Sequence, residues 1–175
     1  MIPPVAVAIT ILVLVAALVG MGLSWRLRGR RQRGLALPAA PADPGADRVV
    51  VEGLYLATTF AGRPLERVSA HGLGFRARAR IAVTDTGVRI DRDGTAPLIL
   101  PAGSVSGAGT ATWTLDRGVE PDGLTVLAWS LDDAGGPVPV ESSFRIDPLP
   151  RDRLLAAVGT LLADRSTPEV PHDDA

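Results

Sequence analysis

From Val5 to Leu23 the chain has nineteen residues without a charge. At about 1.5 Å of rise per residue, a helix of this length reaches roughly 28 Å, close to the hydrocarbon thickness of a bilayer. The run predicts one transmembrane helix within residues 1–25, because a core helix of that length would show a polar face and this one does not. Beyond it the period changes to two. In Phe75 to Thr84, the residues Phe75, Ala77, Ala79, Ile81 and Val83 alternate with Arg76, Arg78, Arg80, Ala82 and Thr84, as a half-buried strand requires. Asp85-Thr86-Gly87 then turns the chain into Val88 to Asp91, a hairpin closed by Asp93-Gly94. A short strand is expected at Leu98 to Leu100, a Gly/Ser loop through Gly109, and strands at Thr110 to Leu115, Leu124 to Leu131 and Val138 to Ile146. Arg48 to Phe60 is β-rich, Leu65 to Ala70 is a weaker strand candidate, and Trp113 and Trp129 fall on inward-facing positions.

The period changes again after Pro148 and Pro150. Leu154, Leu155, Val158, Leu161 and Leu162 form a helical stripe within Arg151 to Ala163, with Asp147 or Asp152 at its N-terminal end. So short a helix is marginal alone and must pack on the sheet. The expected fold is mainly β, six or seven antiparallel strands with a C-terminal α-helix, preceded by one transmembrane helix. Residues 26–47 read as a basic juxtamembrane segment followed by a Pro/Ala-rich linker, residues 48–165 as the β domain, and residues 166–175 as a disordered tail.

Charge sets the orientation. Trp25, Arg26, Arg28, Arg30, Arg31 and Arg33 follow the apolar run, and no charged side chain precedes it. A basic flank stays on the cytoplasmic side, so the expected location is the cell membrane, single-pass, with the N-terminus outside and the domain cytoplasmic. A cleaved export signal would carry its basic residues ahead of the apolar segment. The same five arginines orient and anchor the helix and stand where anionic headgroups are. All eighteen basic residues are Arg, beside abundant Ala, Gly and Pro, which reflects coding bias. Residues 48–165 hold thirteen Arg against fourteen Asp plus Glu, a balance that argues against nucleic acid as partner.

Candidate chemistry narrows the classes further. There is no cysteine, and the two histidines, His71 and His172, have no ligand spacing around them, so no metal or cofactor is expected. Gly103-Ser104-Val105-Ser106-Gly107 has Val where a nucleophile elbow needs Ser. Gly107 and Gly109 lack the third glycine and the following helix of a dinucleotide loop. The pairs Asp91/Asp93 and Asp132/Asp133 fall in turns, where Asp serves backbone hydrogen bonding. No catalytic residues are assigned and an enzyme is not expected.

The feature most open to a functional reading is the stripe Arg76, Arg78, Arg80, with Arg89 opposite on the hairpin partner. Guanidinium groups on one strand face repel unless they meet acids or an outside anion. In the commoner case, Asp and Glu on neighbouring strands or plain solvent satisfy them. In the other, they face an anionic lipid head or an acidic partner.

Several segments carry a family likeness: Tyr55-Leu56-Ala57-Thr58-Thr59 with Ala61-Gly62, Arg67-Val68, His71-Gly72-Leu73-Gly74-Phe75-Arg76, Gly87-Val88-Arg89-Ile90-Asp91-Arg92, Leu100-Pro101-Ala102, and Glu120-Pro121-Asp122-Gly123-Leu124 leading to Trp129. Across about residues 1–163 the chain resembles actinobacterial single-pass membrane proteins with a bacterial PH-like domain, often labelled membrane or export proteins. The resemblance implies two bent antiparallel sheets capped by a helix, and no agreed activity, because that fold hosts lipid, peptide and protein binding alike. The expected function is a membrane-anchored, non-enzymatic module for protein or lipid interaction at the cytoplasmic membrane face. The alternative is an accessory subunit of a membrane transport or export complex, with Gly20 and Gly22 allowing close helix approach.

Overall fold

The computed structural model describes residues 10–22, 32, 34–111 and 123–166. It divides the chain into two compact units, Met1–Gly34 and Leu35–Ala175. In the first, residues 10–22 are helical, with Leu12, Leu18 and Met21 exposed. No helix among the described residues is long and apolar enough to cross a membrane. The ends of the expected span, Trp25, and the arginines Arg26, Arg28, Arg30, Arg31 and Arg33 lie outside the described residues, as do Trp113 and residues 167–175.

The second unit is built on β1, Asp47–Phe60, followed by β2, Arg63–Arg67; β3, Ala77–Thr84; β4, Gly87–Arg92; β5, Leu98–Pro101; β6, Val105–Ala111; β7, Leu124–Asp133; β8, Gly136–Arg145; and one helix, α1, Pro148–Ser166. The strands join in the order β5-β4-β3-β1-β8-β7-β6, with β2 also on β1 and every pairing antiparallel. Two separate sheets were expected, but hydrogen bonds make them one. β1 pairs β3 from Asp47 to Tyr55 and β8 from Leu54 to Phe60, with a register break between Tyr55 and Ala57. Such a break bends a strand. At this corner only glycine fits at Gly53, since an added Cβ would stand 2.7 Å from the Arg145 carbonyl oxygen.

The described residues hold eight strands where six or seven were expected. The Gly/Ser stretch read as loop is a turn of 3-10 helix, Ala102–Ser104, and then β6, which forms because β7 offers it a ladder from Val105↔Trp129 to Ala111↔Leu124, with one register shift between Val105 and Gly107. Phe75, expected inward, precedes β3 and is exposed. The inward alternation holds elsewhere: Ala79, Ile81 and Val83 on β3, Leu127, Trp129 and Leu131 on β7, and Val140, Ser142 and Phe144 on β8 are buried.

α1 begins three residues earlier than the expected helical run from Arg151. Pro148 and Pro150 sit in the first turn, where backbone N–H groups have no intrahelical partner, and the first i to i−4 bond runs from Arg151 N to Asp147 O at 3.0 Å. Leu154, Val158 and Leu161 enter the core. At the far end, Arg165 Nη1 donates to the Ala102 carbonyl at 2.8 Å, tying the helix to the start of β6.

The segment before β1 lies against the body. Leu35 is buried in the core with Leu37 packed beside it, and Ala36 and Asp132 exchange backbone hydrogen bonds of 2.8 and 2.9 Å. Farther along, Thr86 Oγ1 donates to the Pro44 carbonyl at 2.8 Å, and Ala46 N donates to Asp85 Oδ2 at 3.2 Å. Asp85 also accepts from Arg48 Nε, and Arg48 Nη1 reaches Asp164 of α1 at 3.1 Å. The hydrogen bond from Arg48, then that from Ala46, hold the Asp85 carboxyl below its usual range.

Two outcomes follow for the full chain in detergent. Leu154→Ala should lower the unfolding free energy by about 2–4 kcal/mol, and Leu149→Ala, at an exposed site, should change it by less than about 0.5. A carboxyl with a depressed folded pKa stabilises above its unfolded value of about 3.9, and that contribution is lost as pH falls through the folded value. Denaturant melts of Asp85→Asn should therefore show a deficit against the parent at neutral pH that closes under acid conditions. A constant offset would contradict the assignment.

Candidate functional site

The pleat carries the charged face. On β3, Ala79, Ile81 and Val83 point inward, so Arg78 and Arg80 point out. Register places Arg80 between Glu52 of β1 and Asp91 of β4, Arg78 beside Leu54, and Arg89 beside Ala82. Three of the four stripe arginines thus share one outer face. Arg76 precedes the strand and is exposed.

Acids from neighbouring strands meet two of them. Arg89 Nη2 lies 2.9 Å from Asp47 Oδ2, its Nε lies 3.2 Å from Asp91 Oδ2, and Arg80 Nη2 stands 3.6 Å from the same Asp47 oxygen. Burial works against the charge on Arg89, but Asp47 and Asp91 outweigh it, and its pKa is raised. Arg78 makes no ion pair among the described residues, nor do Glu52 and Asp93.

These groups line a groove of about 600 Å³, bordered by Glu52, Gly53, Leu54, Arg78, Arg80, Asp91, Arg92, Asp93, Thr95 and Pro97. Two outward cations, Arg78 and Arg80, face three acids there, Glu52, Asp91 and Asp93, while the guanidinium of Arg92 is turned inward. Such a wall does not concentrate one sign of ion, as a stripe of bare arginines would. It suits a ligand that presents both signs.

A buried polar chain links β7, β8 and β1 on the inner side of the sheet. Trp129 Nε1 donates to Ser142 Oγ at 2.9 Å, Ser142 and Thr58 hydroxyls are 2.6 Å apart, Thr58 and Tyr55 hydroxyls are 2.6 Å apart, and Tyr55 donates to the Leu73 carbonyl at 2.7 Å. The ends fix the direction. Tyr55 spends its proton on Leu73, so Thr58 must donate to Tyr55 and Ser142 to Thr58, and each hydroxyl gives and accepts once. Burial raises the Tyr55 pKa, which keeps the phenol protonated as that chain requires.

Arg92 lies on the inner face, its guanidinium 5.2 Å from the Tyr55 ring centre. Its Nη1 and Nη2 donate to the carbonyls of Gly72 and His71 at 2.9 and 3.3 Å. Arg92 and Tyr55 therefore clamp the loop 68–74, where His71 takes a left-handed backbone (φ 55) and its Nε2 meets the Leu35 carbonyl at 2.7 Å. None of Tyr55, Thr58, Ser142 or Arg92 stood out in the sequence as a site residue. The available signal was a hydroxyl at inward-facing positions of β1 and β8. The Ser104 hydroxyl donates to the Pro101 carbonyl at 2.8 Å and closes the 3-10 turn. No group of three or more His, Asp or Glu able to hold a metal occurs among the described residues.

No curated protein matches the chain. A family model described as Bacterial PH domain-like matches residues 35–157, from the buried Leu35 through the sheet and into α1, which is more than half of the sequence. With this strand order and closing helix, the chain belongs to the Bacterial PH domain-like family.

Proposed function

We propose that this protein is a membrane-anchored, non-enzymatic interaction module of the actinobacterial single-pass kind, whose PH-like domain stands on the cytoplasmic face of the cell membrane and engages a protein or lipid partner there. The observation that carries the interaction role is the groove on the outer face of β1, β3 and β4, where Arg78 and Glu52 on the sheet, and Asp93 just after β4, have no ion pair among the described residues. Charged groups placed in this way are ready to pair with a partner at little ordering cost. Their mixed sign favours a protein segment over an anionic headgroup in this groove. Anchoring is supported by the uncharged run from Val5 to Leu23, and the cytoplasmic side by the arginines from Arg26 to Arg33.

A second reading, an accessory subunit of a transport or export complex, is favoured by the helix at residues 10–22. Its apolar side chains are exposed, and Gly20 and Gly22 have nothing within 4 Å of an added Cβ. Replacing that helix by an unrelated apolar one separates the two. The interaction module keeps its activity in complementation, and the subunit loses it.

The direct test places a photo-crosslinking residue at Leu54 or Arg78 in native membranes, with Arg153 as the reference position. A discrete adduct is expected from the groove, reduced about tenfold or more by Arg78→Glu. Equal labelling from Arg153, or an adduct indifferent to Arg78→Glu, would contradict the role of the groove. C-terminal reporter fusions should be active only as cytoplasmic fusions, and external activity would overturn the orientation.

A further inference from the structure

Two segments outside the groove lining combine exposed apolar side chains with arginine. Outside residues 10–22, the large apolar side chains that stand exposed among the described residues are Leu65 at 73%, Phe75 at 74% and Leu149. Leu65 lies in β2, and Phe75 lies in the chain that leads to β3. The fold brings these two stretches together. Val68 N donates to the Thr58 carbonyl at 2.9 Å, Thr58 N donates to the Leu73 carbonyl at 2.8 Å, and Arg67 Nη1 reaches the Gly74 carbonyl at 3.5 Å. A Cβ on Gly74 would lie 3.1 Å from the Val68 carbonyl oxygen, so the chain leaving β2 passes directly beside Gly74, the neighbour of Phe75.

Residues 63–67 and 74–77 contain Arg63, Arg67 and Arg76 against a single acid, Glu66. This local excess contrasts with the near-neutral domain and with the balanced groove. Arg63 is held upright by its pair with Glu66 at 3.0 Å and by the Phe60 ring beneath it at 5.1 Å. Solvent-facing Leu and Phe ringed by arginine have the composition of surfaces that lie at the headgroup level of anionic bilayers.

We propose that Leu65 and Phe75, with Arg63, Arg67 and Arg76 around them, form a lipid-contact tip that enters the headgroup layer of an anionic membrane. The apolar side chains reach the top of the acyl region and the guanidinium groups pair with lipid phosphates. The domain is thereby held at the bilayer by a second contact besides its anchor. This rests on the membrane-anchored reading, and it leaves the groove free for a protein.

The chain has no cysteine, so Leu65→Cys, Phe75→Cys and, as reference, Leu149→Cys each give one labelling site. Full-length protein carrying an environment-sensitive fluorophore is reconstituted into phosphatidylcholine vesicles, and into vesicles in which about a third of the lipid is phosphatidylglycerol. Nitroxide-bearing lipid should quench the labels at positions 65 and 75 about threefold more than the label at 149 in anionic vesicles. The difference should fall in high salt and in a variant with Arg63→Glu, Arg67→Glu and Arg76→Glu together. Quenching no stronger than at position 149, or equal in neutral vesicles, would overturn the tip. So would labels that are shielded from a water-soluble quencher but untouched by the lipid one, because then protein covers the tip. Flotation of the same vesicles reads the anchor separately. A chain that floats with its tip unquenched removes only the tip, and a chain that fails to float removes the anchored reading and the tip with it.

Discussion

One strand serves both halves of the domain. β1 gives its first part to β3 and its second part to β8, and the register break after Tyr55 turns the sheet at the junction. The turn is possible because Gly53 lets the Arg145 carbonyl approach within a distance no side chain would allow. A single bent sheet has a concave side that a short helix can fill. Leu154, Val158 and Leu161 do so, and a helix that would be marginal alone gains its stability from that burial.

The same corner positions everything of functional interest. Glu52 and Leu54 flank Gly53 on the outside and form one wall of the groove, with Arg78 and Arg80 beside them. Tyr55 follows on the inside and starts the chain of hydroxyls that runs through Thr58 and Ser142 to Trp129. Beneath it, Arg92 grips the loop whose exit carries Phe75. The outer groove and the buried network therefore both draw on β1 residues at this bend.

Strands with a clean alternation over the core were legible in the sequence, as Leu127, Trp129 and Leu131 illustrate. β6 was not, because Ser106, Gly107, Ala108 and Gly109 carry no apolar period, and only the ladder offered by β7 makes them a strand. β2 was legible only in part: the weak candidate at Leu65 to Ala70 overlaps it at residues 65–67, because the exposed Arg-Pro-Leu-Glu-Arg lacks a buried face to mark its start. Phe75 misled by fitting the period of a strand that starts two residues later. The arginine face was legible as a face, but its partners were not. Asp47 reaches Arg80 and Arg89 across 33 and 42 positions, near an irregular register that no local pattern announces. The hydroxyl chain was out of reach for the same reason, since Thr58 and Ser142 meet only when two strands 84 residues apart pair.

The β1 corner holds the two halves of the sheet as one cooperative body. Amide hydrogen exchange of the full chain carrying Gly53→Val tests it most directly, because the added side chain must push Arg145 away from β1. Protection should fall together in β3, β4, β7 and β8 by a similar factor. Loss confined to β1 and β8, with β3 and β4 protected as before, would contradict it.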